Sequence, residues 1–404
     1  MNLPLQQPVN GYPPATPAPR LQQVDALRGF ALFGILAVNI WVFSDSYYGA
    51  AVSNPAHPSA IDHAIRFLIS TLFEAKFYLL FSFLFGYSFT LQLASAERSQ
   101  SAFVPRMVRR QLALLVIGLI HGAVLFHGEI LSLYALLGLA LLALRHLSAR
   151  RALKLAVGLP VCSALIFMAL GLMQLAQGSY VGAPVSEPMD MALLIGSSAL
   201  GALDFNLSQL PQTIVALWLL QGPSTLAMFL FGYVAGRRGW LVAPYVFAAW
   251  KGRLLSVMLP IGLGGALIYG YTAAYAPGAG LETLGYGISE LTAPLLSASY
   301  VLLLLGAFDS PLGERVCRWL APMGRMSLSN YLLQSLLLSL IFTGYGLGLI
   351  NTLDWALVLL IVIALYGLQL WLSHLWMRSH QYGPCEWLLR AVTLLARPAW
   401  RKTR

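Results

Sequence analysis

The chain has 404 residues, 58% hydrophobic and only 10% charged, with a net charge of +10 and a mean hydropathy of +0.72. A soluble globular domain carries about 25% charged residues, so the composition excludes that class and points to a polytopic membrane protein. Its long continuous apolar runs exclude a transmembrane barrel, whose strands alternate. Cys162, Cys317 and Cys385 are too widely spaced for a disulfide framework or a zinc site.

The first 20 residues hold six prolines and few large apolar groups, and read as a disordered tail. A transmembrane bundle over 21–380 follows, then a cytoplasmic amphipathic helix and basic tail over 381–404. Apolar runs predict ten spans, near 27–44, 68–95, 107–126, 129–145, 152–175, 211–236, 254–273, 285–308, 327–349 and 353–376. Of the 25 Lys and Arg, 23 fall in alternate connections and at the two ends. Cytoplasmic loops are the ones enriched in positive charge. The expected fold is therefore an all-α polytopic bundle of ten spans with both termini cytoplasmic. Topology accounts for the positive charge, so no nucleic-acid partner is implied. A short interfacial helix is expected within 176–210.

In the first span Asp25 and Arg28, three residues apart, can pair at the cytoplasmic entrance, and Gly29 permits another helix to approach. Asn39 lies eleven residues beyond Arg28, roughly 16 Å deeper. An amide there can polarise a carbonyl or join two helices. Arg66 and Lys76 are the two cations off the cytoplasmic side. Arg66 follows Asp62 by four residues and is expected to pair with it. Lys76 and Glu74 do not face each other on one helix; they either snorkel to the outer interface or line a polar cavity.

The stretch GLIHGAVLFHGEILSLY, Gly118 to Tyr134, places His121, His127 and Glu129 at the turn between the third and fourth spans. An imidazole can exchange a proton near neutral pH, and a carboxylate beside it would orient it. The hairpin thus reads either as a general base, His121, with Glu129 as its orienter, or as an interhelical hydrogen bond with a wetted loop. In the eighth span Glu290 precedes Pro294, which is expected to kink the helix. Ser327, Asn330 and Gln334 form one polar stripe on the ninth span. The start of that helix, beside Arg325, could hold a phosphate. In GPCEWLLR, Glu386 and Trp387 read as the start of a docked amphipathic helix.

The blocks LRGFALFGILAVNI, KFYLLFSFLFGYSF, GLIHGAVLFHGEIL, GRMSLSNYLLQS and GPCEWLLR together resemble the YeiB-like family of bacterial inner-membrane proteins, over residues 20–395. More distantly, the chain is similar to the transmembrane acyltransferase superfamily, which includes heparan-α-glucosaminide acetyltransferases and enzymes that O-acylate surface polysaccharides. An Arg followed eleven residues on by His or Asn, as in Arg28 and Asn39, is part of that resemblance. It implies an acyl donor, commonly acyl-CoA, entering from the cytoplasm, and an acceptor met on the far side. His57, in the outer loop, rivals His121 as the superfamily's histidine.

The expected catalytic residues are thus His121, Glu129 and Asn39. The expected substrate-binding residues are Asp25, Arg28, Lys76, His127, Glu290, Arg325, Asn330 and Gln334. No metal or cofactor is expected beyond acyl-CoA as co-substrate. The expected partners are membrane lipids and a small-molecule, lipid or glycan acceptor, with a homodimer left open. A transporter or exporter using intramembrane Glu74, Lys76, His121 and Glu290 as a proton relay is the alternative.

Overall fold

The structure, a computed structural model, describes residues 19–98, 100–178, 186–241 and 244–402. The tail read over residues 1–20 lies outside the described residues as far as residue 18, and the first helix already begins at Pro19. Fifteen helices are described: α1 (Pro19–Ser44), α2 (Ala60–Leu72), α3 (Lys76–Arg98), α4 (Phe103–Val124), α5 (Leu131–Leu144), α6 (Ala149–Gln177), α7 (Ser186–Ser197), α8 (Ala199–Leu220), α9 (Gly222–Arg237), α10 (Pro244–Tyr275), α11 (Gly280–Ala307), α12 (Pro311–Arg325), α13 (Ser327–Phe342), α14 (Trp355–Ser379) and α15 (Pro384–Leu394). Extended pairing among the described residues is confined to one bridge, His380 to Arg401.

Seven stretches are long and apolar enough to cross a membrane: α1, α2 with α3, α4, α6, α10, α11 and α14. The pair α8 and α9 makes an eighth, bent by 57° at its break. The chain is therefore a multi-pass helical membrane protein. An apolar helix occupies each of the ten predicted places, but α5 and α13, of 14 and 16 residues, extend only about 21 and 24 Å. That falls short of roughly 30 Å of hydrocarbon.

Two predicted continuous spans are interrupted. The run read as 68–95 breaks between α2 and α3, where Ala75 takes a positive φ of 66°. The run read as 211–236 breaks at Gln221, which caps α8. The region expected to hold one short helix, 176–210, holds α7 and the first half of α8. By contrast α11 continues as one helix through Pro294.

Helix α1 is the central element. Leu27, Leu32, Leu36 and Ile40 are wholly buried along it. It packs on α12 with no side chain between the backbones. A Cβ on Gly29 would lie 2.4 Å from the Leu320 carbonyl oxygen, and one on Gly324 1.7 Å from that of Asp25. Small residues at a crossing let helices approach closely in lipid, where dispersion and hydrogen bonds replace the hydrophobic drive. Helices α4, α6, α10 and α14 form the rim and turn residues such as Ile120, Leu165, Ile261 and Ile363 outward. In a membrane protein that exposed apolar surface meets lipid.

Candidate functional site

A cavity of about 790 Å³ runs through the bundle. At one end it is walled by Arg28, Arg106, Arg110, Arg325 and Arg390. Its middle is apolar and aromatic, with Ile35, Val38, Phe77, Phe81 and Phe85. Its far end is polar again, formed by Asn39, Tyr48, Glu74, Tyr78, Tyr269 and Tyr286. A smaller cavity of about 110 Å³ adjoins that end, with Tyr48, Gly49 and Glu282's side of the bundle among its walls together with Asp45, His57, Arg66 and Trp355. Tyr48 and Gly49 belong to both cavities.

The basic mouth is built by four helices. Arg28 pairs with Asp25 at 2.9 Å, as the spacing predicts, and also donates to Ser88 of α3. Arg106 and Arg110 come from α4, Arg325 from the end of α12, and Arg390 from α15. The Nε of Arg110 is buried without a hydrogen-bond partner. The start of α13, expected to be free for a phosphate, is already capped. Glu386 of α15 accepts from Leu328 N at 2.6 Å, Ser329 N at 3.1 Å and Ser329 Oγ at 2.6 Å. A carboxylate has taken the anion's place at the positive helix end. Burial pushes the Glu386 carboxyl above its ordinary value, against the opposing pull of these donors. Five guanidinium groups thus face Asp25 and Glu386, leaving the mouth with excess positive charge.

The far end centres on Glu74. It accepts from Tyr48 and Arg66, from Ser70 Oγ at 3.2 Å and from Tyr269 Oη at 2.8 Å. The break at Ala75 places Glu74 on the connection between α2 and α3, where four donors can converge on it. Arg66 therefore pairs with Glu74 and not with Asp62 as expected. Asp62 closes a capping box with Ser59 at the start of α2. The Arg66 guanidinium also lies 4.4 Å over the Tyr48 ring.

The hairpin does not assemble the expected dyad. Glu129 turns toward its own chain and accepts from the backbone N–H groups of Leu131 and, at 2.9 Å, Ser132. It caps the start of α5, whose orphan donors lie two and three residues on. His121 is 3% exposed, neither ring nitrogen has a partner, and it packs against Phe126 and Tyr331. It is not among the cavity's walls. His127 is held by Asn206, Nδ1 to Oδ1 at 3.2 Å, and is also absent from those walls.

Of the remaining expected residues, Asn39, Arg28 and Arg325 line the cavity. The Asn39 amide has no hydrogen-bond partner among the described residues. Lys76 is wholly buried and donates to the Ser70 carbonyl at 2.9 Å, so it does not snorkel, and it is not among the walls of either cavity. Glu290 accepts from Ser224 at the start of α9. Asn330 donates to Ser373 at 2.8 Å and Gln334 to Gln369 at 3.0 Å; both join α13 to α14 and leave the cavity wall to Ser327. His57 stacks on Trp355 at 4.9 Å in the smaller cavity.

Arg106, Arg110 and Arg390, and the tyrosines 48, 78, 269 and 286, are the site residues that sequence reasoning missed. Positive-inside counting had already explained the arginines, and tyrosines near span ends read as interfacial anchors. Only packing shows that they share one cavity.

The fold and cavity define a multi-pass helical membrane protein with an internal, two-ended binding space. A family model described as a protein of unknown function, DUF418, matches residues 235–396. The chain is 32% identical to the uncharacterized protein YxaH of Bacillus subtilis (strain 168), covering 95% of this chain and 97% of that one. It is 30% identical to the uncharacterized protein YeiB of Escherichia coli (strain K12), over 94% and 98%. An uncharacterized 39.9 kDa protein in the amylase 3' region of Bacillus acidopullulyticus is 29% identical, over 93% and 94%. No solved structure matches. The chain belongs to the YeiB-like family.

Proposed function

We propose that this protein is an integral-membrane acyltransferase of the bacterial inner membrane. It crosses ten times, with α5 and α13 as short spans and the bent α8–α9 pair as one, and keeps both termini and residues 381–404 in the cytoplasm. The distribution of Lys and Arg supports that orientation. The observation that carries the reading is the single cavity joining five arginines to Asn39 and Glu74 through an apolar middle. A donor with anionic phosphates and a long, weakly polar arm, such as acyl-CoA, matches that sequence of environments. The Arg28-to-Asn39 spacing, similar to that of the transmembrane acyltransferases, supports the same donor.

In this reading the arginine mouth holds the phosphates and the thioester reaches the level of Asn39. The acceptor, a hydroxyl or amine on a small molecule, lipid or glycan, arrives by the smaller cavity. Its oxygen or nitrogen attacks the thioester carbonyl carbon, forming the new C–O or C–N bond. The proton passes to the Glu74 carboxylate, the C–S bond breaks, and the thiolate leaves with that proton. Glu74 takes the role that His121 and Glu129 do not fill, because it faces the cavity.

One observation favours a transporter instead. The breaks at Ala75 and Gln221 give two interrupted apolar segments, the kind that build mid-membrane sites in transporters. The two readings part in one experiment. Protein in nanodiscs is given acetyl-CoA labelled in the acetyl group, with an envelope extract as the source of acceptors. Acyl transfer predicts free thiol and a labelled product other than acetate. Counterflow in proteoliposomes with no covalent product would replace the proposal with the transporter.

A further inference from the structure

Helix α15 has two opposed faces. Leu389 and Thr393 are buried and stand with Glu386 and Arg390 on the wall of the basic mouth. Leu388, Val392 and the capping residue Leu395 are exposed, Leu395 to 73%. Residues four and seven apart share one side of a helix, so these three form a single apolar stripe away from the wall. Helix α12, which brings Arg325 to the same mouth, repeats the pattern. Leu312, Val316 and Trp319 are exposed along one stripe, while Cys317, Leu320 and Gly324 are buried. At about 17 and 22 Å the two helices are too short to span a bilayer. Two short amphipathic helices thus frame the mouth and turn their apolar stripes away from the protein.

Positive charge gathers beside that surface. The chain end folds back on the last turn of α14, where Gln381 N donates to the Trp400 carbonyl at 3.1 Å and Lys402 N to that of Ser379 at 3.0 Å. Arg401 is thereby set opposite His380, near Arg378. Arg378, Arg397 and Arg401 are exposed, pair with no carboxylate among the described residues, and line neither cavity. Trp387 ties this end to α15. Its Nε1 donates to the Pro398 carbonyl at 2.9 Å, and its ring meets that of Trp400 edge-on at 5.1 Å. Whatever holds Arg397 and Arg401 therefore also holds α15.

We propose that this surface binds anionic phospholipid headgroups, and that the bound lipid holds α15 in place as a wall of the mouth. The apolar stripes enter the boundary between headgroups and acyl chains, the tryptophans sit at headgroup level, and the three guanidinium groups take the lipid phosphates. The effect passes inward along α15 to Glu386, whose carboxylate caps α13 through the N–H groups of Leu328 and Ser329. The inference stands apart from the acyl-transfer reading, because any ligand of the mouth meets the same wall.

The test is amide hydrogen exchange on the full chain in nanodiscs. Each disc carries one copy, so a second copy cannot cover the face. The discs are made of phosphatidylcholine alone or of an equal mixture with phosphatidylglycerol. A basic side chain at an anionic surface is worth about fivefold, so three give on the order of 10²-fold. Exchange across α15 is expected to slow by that order in the mixed discs, and the amides of Leu328 and Ser329 are expected to slow with it. The triple variant Arg378→Gln, Arg397→Gln, Arg401→Gln should exchange alike in both discs. Equal exchange of the wild type in the two discs, or a slowing that survives in the triple variant, overturns the proposal. So does the same slowing produced by inorganic phosphate in phosphatidylcholine discs, which would make a free anion the ligand. Should the triple variant not fold, seen as fast exchange through the middle of α14, the double variant Arg397→Gln, Arg401→Gln must lose most of the lipid effect; an undiminished effect overturns the proposal.

Discussion

Neutralising Glu74 is expected to destabilise the protein far more than an ordinary polar substitution. Glu74 is 8% exposed, and it is the anion that pairs with Arg66 and accepts from Tyr48, Ser70 and Tyr269. In Glu74→Gln the amide oxygen can still accept from the hydroxyls, but the buried Arg66 guanidinium loses the one carboxylate it touches among the described residues. Breaking one side of a buried ion pair costs about 3–5 kcal/mol, between roughly two and four powers of ten in the folding equilibrium. Adding Arg66→Met removes the stranded charge, so the double variant should be more stable than Glu74→Gln alone by at least about 1 kcal/mol. Equilibrium unfolding in mixed micelles, followed by the fluorescence of the chain's ten tryptophans, measures both. A double variant less stable than the single one would show that the hydroxyl network, and not the charge pair, holds this end together.

Other substitutions separate the site from its surroundings. His121→Leu should leave acyl transfer within about threefold of wild type, because the ring is outside the cavity and makes no hydrogen bond; a loss of 10²-fold or more in a folded variant would restore it as the base. Arg110→Gln should weaken acetyl-CoA binding about tenfold, the cost of one charged hydrogen bond, and flatten its dependence on salt; titration calorimetry at two ionic strengths reads both. The Glu386 carboxyl lies above its ordinary value in the folded protein. The folded state therefore binds that proton more tightly than the unfolded chain, and its contribution to stability grows as pH falls through the folded-state value and is lost as pH rises through it. Mild acidification should leave α15 docked or hold it more firmly, as limited proteolysis after Arg390 would show; release of α15 on acidification would contradict this sign.

Much of the bundle was legible because lipid imposes simple rules. A stretch such as α6 or α14 has one physical use, and alternate basic connections mark its ends. The close approach at Gly29 and the pairing of Asp25 with Arg28 were readable locally, since both depend on spacing along one helix. The breaks at Ala75 and Gln221 were not, because an apolar run interrupted by one or two residues has the same hydropathy as a continuous one. The pairing of Arg66 follows from the first break: once α2 ends, Glu74 can turn back toward it, and a rule for intact helices gives the wrong partner. Glu129 and His121 mislead for a related reason. Two groups near one turn look like a dyad in the sequence, but a carboxylate two residues before a helix has backbone donors closer than any imidazole. The arginine mouth draws on α1, α4, α12 and α15, segments up to about 360 residues apart in the sequence, and no periodicity connects them.

Helix α15 supplies Glu386, Leu389 and Arg390 to the wall of the basic mouth, and it is translated after every one of the helices α1 to α14. A nascent chain still emerging from the ribosome consequently has an unfinished entrance, however far its earlier helices have inserted. The wall of that entrance is completed only when α15 has settled onto α4 and α13.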